Sequence, residues 1–182
     1  LIGLVKQSDH FAALIVVEQA LEYYPDEIKF LEYKVKLLIA TDNLPDAIVL
    51  LDKLYQQDRA SEELALLLGQ LQLSVAELEQ AYIVANKLLA GEPNNPIYLS
   101  LSAGIDAKMG QADKAQEKLI KAIELAPKML QLYINLHYVY LQQGKVALAS
   151  QALKQAYQKS PKDPFIISKL AALAEQVHNL EV

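Results

Sequence analysis

Histidine, cysteine and paired carboxylates are the residues from which a site could be built, so their spacing sets what chemistry is open to this chain. His10, His137 and His178 lie far apart, and none sits in a metal-binding spacing such as HExxH. Cysteine is absent, which excludes disulfides, thiol chemistry and Cys-ligated zinc. The six glycines form no GxGxxG and no phosphate-cradling loop, and no serine stands in an elbow motif. Carboxylates do occur in pairs, at Asp26–Glu27, Glu62–Glu63 and Glu77/Glu79, but each pair falls at a predicted helix start. There it answers the positive end of the helix dipole, a simpler role than general acid–base work. These residues predict no catalytic site, no metal and no cofactor.

Tyrosine is the unusual side chain, with ten copies against three Phe and no Trp. Tyr133 and Tyr140 fall on one helix face with other apolar residues, whereas Tyr33 and Tyr138 fall on another. Tyrosine suits both half-buried seams and binding surfaces, so Tyr33 and Tyr138 are candidates for either.

The elements that carry these residues repeat. "GQADKAQEKLIKAIELAP" at 110–127 and "GKVALASQALKQAYQKSP" at 144–161 share Gly, Ala, Leu, Ala and Pro at the same offsets, 34 residues apart. The same step gives the columns Ala13, Ala47, Ala81, Ala115, Ala149 and Val17, Leu51, Ala85, Leu119, Leu153. A third column is Ala20, Leu54, Leu88, Ala122, Ala156, and a fourth is Pro25, Pro93, Pro127, Pro161, with Arg59 as the exception. Fixed-period self-similarity without insertions signals stacked repeats.

Each window reads as a helix, since Ala149, Leu153 and Ala156 are spaced four then three and most other residues are good helix formers. Gly144 ends one helix and Pro161 stops the next. The segments between are helices too: Tyr133, Leu136, His137 and Tyr140 keep the same spacing. So do Leu31, Lys34, Val35, Leu38; Ala65, Leu68, Gly69, Gln72; Leu99, Ser102, Ala103, Asp106; and Ile167, Leu170, Ala171, Ala174. The reading is an all-α right-handed α-solenoid of helix-turn-helix units. Helices are predicted to start near residues 11, 28, 44, 62, 77, 96, 112, 130, 146 and 164.

The pattern resembles the tetratricopeptide repeat family along the whole chain, in the style of bacterial arrays. Tyr133, Leu136, Tyr140, Gly144, Ala149, Leu153, Ala156 and Pro161 sit where that family has an aromatic, Leu, an aromatic, Gly, Ala, a large apolar residue, Ala and Pro. Departures are Lys34, Val35, Asp42, Arg59, Gln72, Ala76, Ser102, Asp106 and His137. The expected organisation is a single array over 1–182: a partial unit at 1–27, full units at 28–61, 62–95, 96–129 and 130–163, and a partial unit at 164–182. Leu1 is no initiator and "LIGLVKQSDH" lacks a signal-peptide pattern, so the chain reads as a fragment of a longer protein whose compartment is unmarked. Its uncapped ends are expected to be sticky and open to self-association.

Opposite each first-helix packing face lies a second stripe. Its members are Lys29, Tyr33, Lys36; Glu63, Leu67, Gln70, Ser74; Ile97, Leu101, Gly104, Lys108; Gln131, Asn135, Tyr138, Gln142; and Phe165, Lys169, Ala172, Gln176. The resemblance implies that first helices line a concave groove facing a protein or peptide segment. The candidate groove residues are Lys29, Tyr33, Lys36, Gln70, Lys108, Gln131, Asn135, Tyr138 and Gln142. A Lys/Asn clamp for a terminal carboxylate is not carried over, because Lys36 and Asn135 are separated by three units.

The expected function is a non-enzymatic protein-interaction scaffold. Alternatives are the substrate-recruiting region of a larger enzyme, such as a glycosyltransferase, and an assembly component of a bacterial envelope or polysaccharide-export system. A net charge of −5 with no Lys/Arg cluster argues against a nucleic-acid partner. The longest apolar run, "FAALIVV" at 11–17, is too short to cross a membrane.

Overall fold

Ala47, Ala81, Ala115 and Ala149 have no exposed surface, and Leu51, Ala85, Leu119 and Leu153 beside them are buried to within 1%. The periodic columns are therefore the seams of the fold. They are held small where backbones approach and large where a gap must be filled. The computed structural model describes residues 2–180, with side chains described over 9–172.

Ten helices, and no strand, make up the described residues. They are α1 (Ile2–Tyr23), α2 (Ile28–Ala40), α3 (Leu44–Gln56), α4 (Glu62–Ser74), α5 (Leu78–Gly91), α6 (Pro96–Lys108), α7 (Ala112–Leu125), α8 (Leu130–Gln142), α9 (Val146–Lys159) and α10 (Pro164–Leu180). From α2 onward every start lies within a residue of its predicted place. The exception is α1, expected from residue 11 but helical from Ile2. Ser8 holds the column of Asp42, Ala76, Gly110 and Gly144, all of which turn with positive φ. "KQSDHF" offers neither Gly nor Pro there, and the chain runs straight through as helix.

Two compact units divide the chain at Val75/Ala76. In the first, α1 packs on α2, α2 on α3, and α3 on α4. Val35 and Leu38 of α2 meet this seam fully buried, and Leu64, Ala65, Leu68, Gly69 and Gln72 are buried on α4. In the second, α5 to α10 pack each on the next, and α6 also touches α8. One core joins Leu99 and Ala103 of α6, Ala115 and Leu119 of α7, Leu136 and Tyr140 of α8, and Ala149 of α9. Tyr133, Ala156 and Ile166 continue it toward α10. The Tyr133 hydroxyl donates to the Pro127 carbonyl at 3.0 Å, so its polar tip reaches the turn while its ring fills the seam.

Two stripe assignments change. Leu101, placed on the outward stripe, is 5% exposed, because α6 is flanked by α5, α7 and α8 and is buried over most of its circumference. On α10, Ile166 is fully buried while Ile167 is 45% exposed, and Ala171 is exposed as well. The packing face of α10 is thus centred one residue earlier than the column of Tyr133 predicts. Ala174 and Gln176 lie outside the residues whose side chains are described.

The turns explain the sequence exceptions. After α2, α6 and α8 the last carbonyls are closed by a paired motif, such as Gly144 N–H to Leu141 O at 3.0 Å and Lys145 N–H to Tyr140 O at 2.8 Å. This motif needs a left-handed residue, supplied by Gly144 at φ 71° and by Asp42 at φ 61°. The same motif ends α3: Asp58 takes φ 55° and Arg59 N–H bonds Leu54 O at 2.9 Å. A proline at 59 would have no N–H for that bond, which accounts for the break in the proline column.

Candidate functional site

The first-helix stripe of the second unit converges on an open cleft of about 180 Å³. Its floor is Ala103 and Ala107 of α6, Leu119 of α7 and Val139 of α8, and its rim is Gly104, Lys108, Asn135, Tyr138 and Gln142. The spacing of four and three on α8 puts Asn135, Tyr138 and Gln142 on one side of that helix, and the α6–α8 contact brings Gly104 and Lys108 opposite them.

Tyr138 is 43% exposed and held from two sides. The His137 ring meets it edge-on at 5.1 Å, and Lys169 Nζ lies 5.7 Å from its centroid. The same ammonium lies 5.4 Å from the Phe165 ring, so Lys169 is shared by two aromatics on α8 and α10. Phe165 and Lys169 were on the stripe but not among the candidate residues. Their signal was the repeat of an aromatic and a lysine four apart, mirrored by Tyr33 and Lys36 at three.

Asn135 is half-buried and its amide is engaged. It donates from Nδ2 to Ser100 Oγ at 3.0 Å and accepts at Oδ1 from Gln131 Nε2 at 2.8 Å. Gln131 is therefore tied to Asn135, and both position the rim. Ser100, one residue outside the stripe on α6, was missed by the spacing.

The remaining candidates lie in the first unit. Tyr33 is 56% exposed, with Lys36 Nζ 5.8 Å from its ring centroid. Lys29 is exposed beside Tyr24, Glu27 and Phe30 around a shallow depression, and Gln70 is exposed on α4.

Four polar departures from the repeat pattern, Gln72, Ser102, Asp106 and His137, are buried, whereas Lys34 and Arg59 are half-buried and Asp42 is exposed. His137 is 3% exposed, and its Nδ1 lies 3.0 Å from the Ala149 carbonyl, the geometry of a neutral ring donating N–H. Burial pushes its pKa below the usual histidine value, the Ala149 carbonyl pulls it back up, and the charge of Lys169 lowers it further. Asp106, 1% exposed on α6, meets Lys118 of α7: Nζ is 2.6 Å from Oδ2, an ion-pair contact off the line of a hydrogen bond. Lys118 Nζ also donates to Ser102 Oγ at 2.6 Å. Gln72 Oε1 is buried with no hydrogen-bond partner among the described residues. On α4, Ser61 caps the first turn by accepting from Leu64 N–H, and the Glu63 carboxyl is held below its usual value by its own backbone N–H and then by the Ser61 hydroxyl. Among the described residues no group of three or more His, Asp or Glu could hold a metal. No described helix is long and apolar enough to cross a membrane.

Tetratricopeptide repeat family sequences match residues 38–105. No curated protein matches the chain in sequence. Among solved structures, MamA protein is similar over 86% of this chain and 86% of its own, at 23% identity and a TM-score of 0.71. TTC0263, a tetratricopeptide repeat protein of Thermus thermophilus, is similar over 95% and 94%, at 20% identity and a TM-score of 0.74. YrrB, described as a tetratricopeptide repeat protein with an unusual peptide-binding site, is similar over 91% and 86%, at 15% identity and a TM-score of 0.70. At these identities the likeness carries the fold. With the helix pairs and the alanine seams, the chain has the all-α fold of tetratricopeptide repeat proteins, and its residues 38–105 match that family in sequence.

Proposed function

We propose that residues 1–182 act as one non-enzymatic array that holds a protein or peptide segment against the first-helix stripe. The observation that carries this reading is the cleft ringed by Lys108, Asn135, Tyr138 and Gln142. At about 180 Å³ it is smaller than the roughly 300–1,000 Å³ of a typical small-molecule site. That size suits one side chain of an extended segment lying along the face. An apolar floor under convergent polar groups gives such a side chain both burial and orientation. The peptide-binding site named for YrrB is consistent with this use of the fold.

Panning displayed random peptides on the protein tests the reading. Tyr138→Ala should weaken the selected peptides by about 1 kcal/mol or more, since exposed aromatics at such faces carry a disproportionate share of affinity. Circular dichroism should show unchanged helicity, because the ring lies outside the seam. Undiminished binding by a combined Tyr33→Ala, Tyr138→Ala protein would remove these residues as anchors and move the site to the second-helix surface.

A further inference from the structure

The charges of this face do not follow those of the chain. The protein carries a net charge of −5, yet carboxylates are sparse among the described side chains of the first helices of the second unit. Across α6, α8 and the described side chains of α10 the only carboxylate is Asp106. It is 1% exposed and already paired with Lys118 of α7, so it contributes no free charge to the face. The lysines of the same stripe are Lys108 and Lys169. Neither makes an ion pair among the described residues. The nearby turn carboxylates do not pair with these lysines: Asp113 accepts from Gln143 Nε2, and Asp163 accepts from the N–H groups of Phe165 and Ile166 at the start of α10.

Geometry holds one of these charges at the surface. Lys169 Nζ lies over both the Tyr138 and Phe165 rings. A lysine on such a seat keeps its ammonium donors free for an anion. Tyr138 also belongs to the cleft rim with Lys108, so one ring joins the two cations to the side-chain pocket. The amide of Asn135 is bonded to Ser100 and Gln131 and serves to fix this rim. His137, beneath Tyr138, donates to the Ala149 carbonyl and stays neutral at ordinary pH.

Resting on the peptide-binding reading above, we propose that this face selects acidic segments: an Asp or Glu carboxylate of the partner meets Lys169, and an adjoining large apolar or aromatic side chain lies against Tyr138 and enters the cleft beside Lys108. Complementary charge steers encounter and disfavours basic partners, while the apolar neighbour supplies burial. The scarcity of free carboxylates among the described side chains of this face is what allows this preference on a chain that is acidic overall.

The test uses the peptides selected by panning on the wild-type protein. They should be enriched in Asp or Glu adjacent to Phe, Leu, Ile or Tyr. Fluorescence polarisation of one such peptide should show a loss of roughly three- to fivefold when its carboxylates are replaced by Asn and Gln, and a similar loss with Lys169→Gln, the size expected of a partly exposed pair. Lys169→Glu should cost about tenfold or more through like-charge repulsion. Raising salt should erase most of these differences. Helicity should be unchanged in each variant, since Lys169 lies outside the seams. If selected peptides are lost with Tyr138→Ala but are neutral or basic and indifferent to Lys169→Gln, the acidic preference is wrong and the peptide-binding reading stands. If no peptide is selected, or those selected ignore Tyr138→Ala, both readings fall. A single-stranded oligonucleotide that displaces the acidic peptide as well as unlabelled peptide does would show a general polyanion surface and overturn the proposal.

Discussion

Lys118 Nζ lies 2.6 Å from Asp106 Oδ2, so a carboxylate buried in the α6–α7 seam is answered by an ammonium from the facing helix. Lys118→Met would leave that carboxylate buried without its counter-charge. The expected cost is about 3 kcal/mol, the lower end for a broken buried pair because Lys118 is 28% exposed and water reaches it. Asp106→Leu combined with Lys118→Met replaces the pair by apolar volume and should return to within about 1 kcal/mol of wild type. Urea denaturation followed by circular dichroism measures both. A double variant as unstable as the single one would show that the two side chains are not energetically coupled.

His137 gives the fold a pH dependence of known sign. Its folded pKa is depressed, chiefly by burial, so the unfolded chain takes up a proton before the native protein does. Its contribution to stability is complete above the unfolded value of about 6.5 and declines as pH falls through the interval down to the folded value. Thermal unfolding midpoints between about pH 7 and pH 5 should fall for wild type. They should fall less for His137→Gln, whose amide N–H can still reach the Ala149 carbonyl. Equal slopes in the two proteins would assign the acid sensitivity to other groups.

The left-handed turn positions predict opposite effects of Gly and Ala. Ala76 has φ 64°, a conformation that costs an L-residue about 1 kcal/mol, so Ala76→Gly should stabilise by roughly 0.5–1 kcal/mol. Gly144 has φ 71° and nothing within 4 Å of an added Cβ. Gly144→Ala should therefore lose about 1 kcal/mol from backbone strain alone. Chemical denaturation of the two variants reads both signs.

Ala149 is fully buried and its carbonyl receives the His137 ring. Ala149→Leu overpacks the α8–α9 seam and should cost about 1–3 kcal/mol, lowering the denaturation midpoint. At temperatures where the variant remains folded, affinity for the selected peptides should be preserved. A loss of binding without a loss of stability would place Ala149 closer to the partner than its burial allows.

The seams were legible because they depend on size at a fixed spacing. A column of alanines at one period survives whatever faces water, and Ala47, Ala81, Ala115 and Ala149 are its buried product. The stripe was legible only as a direction. Spacing placed Asn135, Tyr138 and Gln142 on one side of α8, but the cleft also required α6, and the bond from Asn135 to Ser100 depends on the contact between the helices. Leu101 was misread for the same reason, since neighbours on several sides bury an arc wider than one helix predicts. The buried pair was half legible: Asp106 and Ser102 stood out as polar residues in an apolar column, but nothing in the spacing singled out Lys118 among the lysines of α7. The extension of α1 through Ser8 shows that a repeat period alone does not make a turn; the residues must also be able to end a helix.

Arg59 has one further consequence. Its guanidinium reaches back to the previous turn, with Nη2 2.6 Å from the Asp26 carbonyl oxygen and Nη1 3.2 Å from the Asp26 carboxylate. At Pro25, Pro93, Pro127 and Pro161 a covalent ring restrains the backbone whatever the solvent. Part of the grip between the α1–α2 and α3–α4 turns is instead a charge contact at the surface, with Asp26 89% exposed, and dissolved ions compete for it. The contact between these two turns thus responds to ionic strength as a proline ring does not, so the α1–α2 end of the first unit should become more dynamic in brine than in dilute buffer.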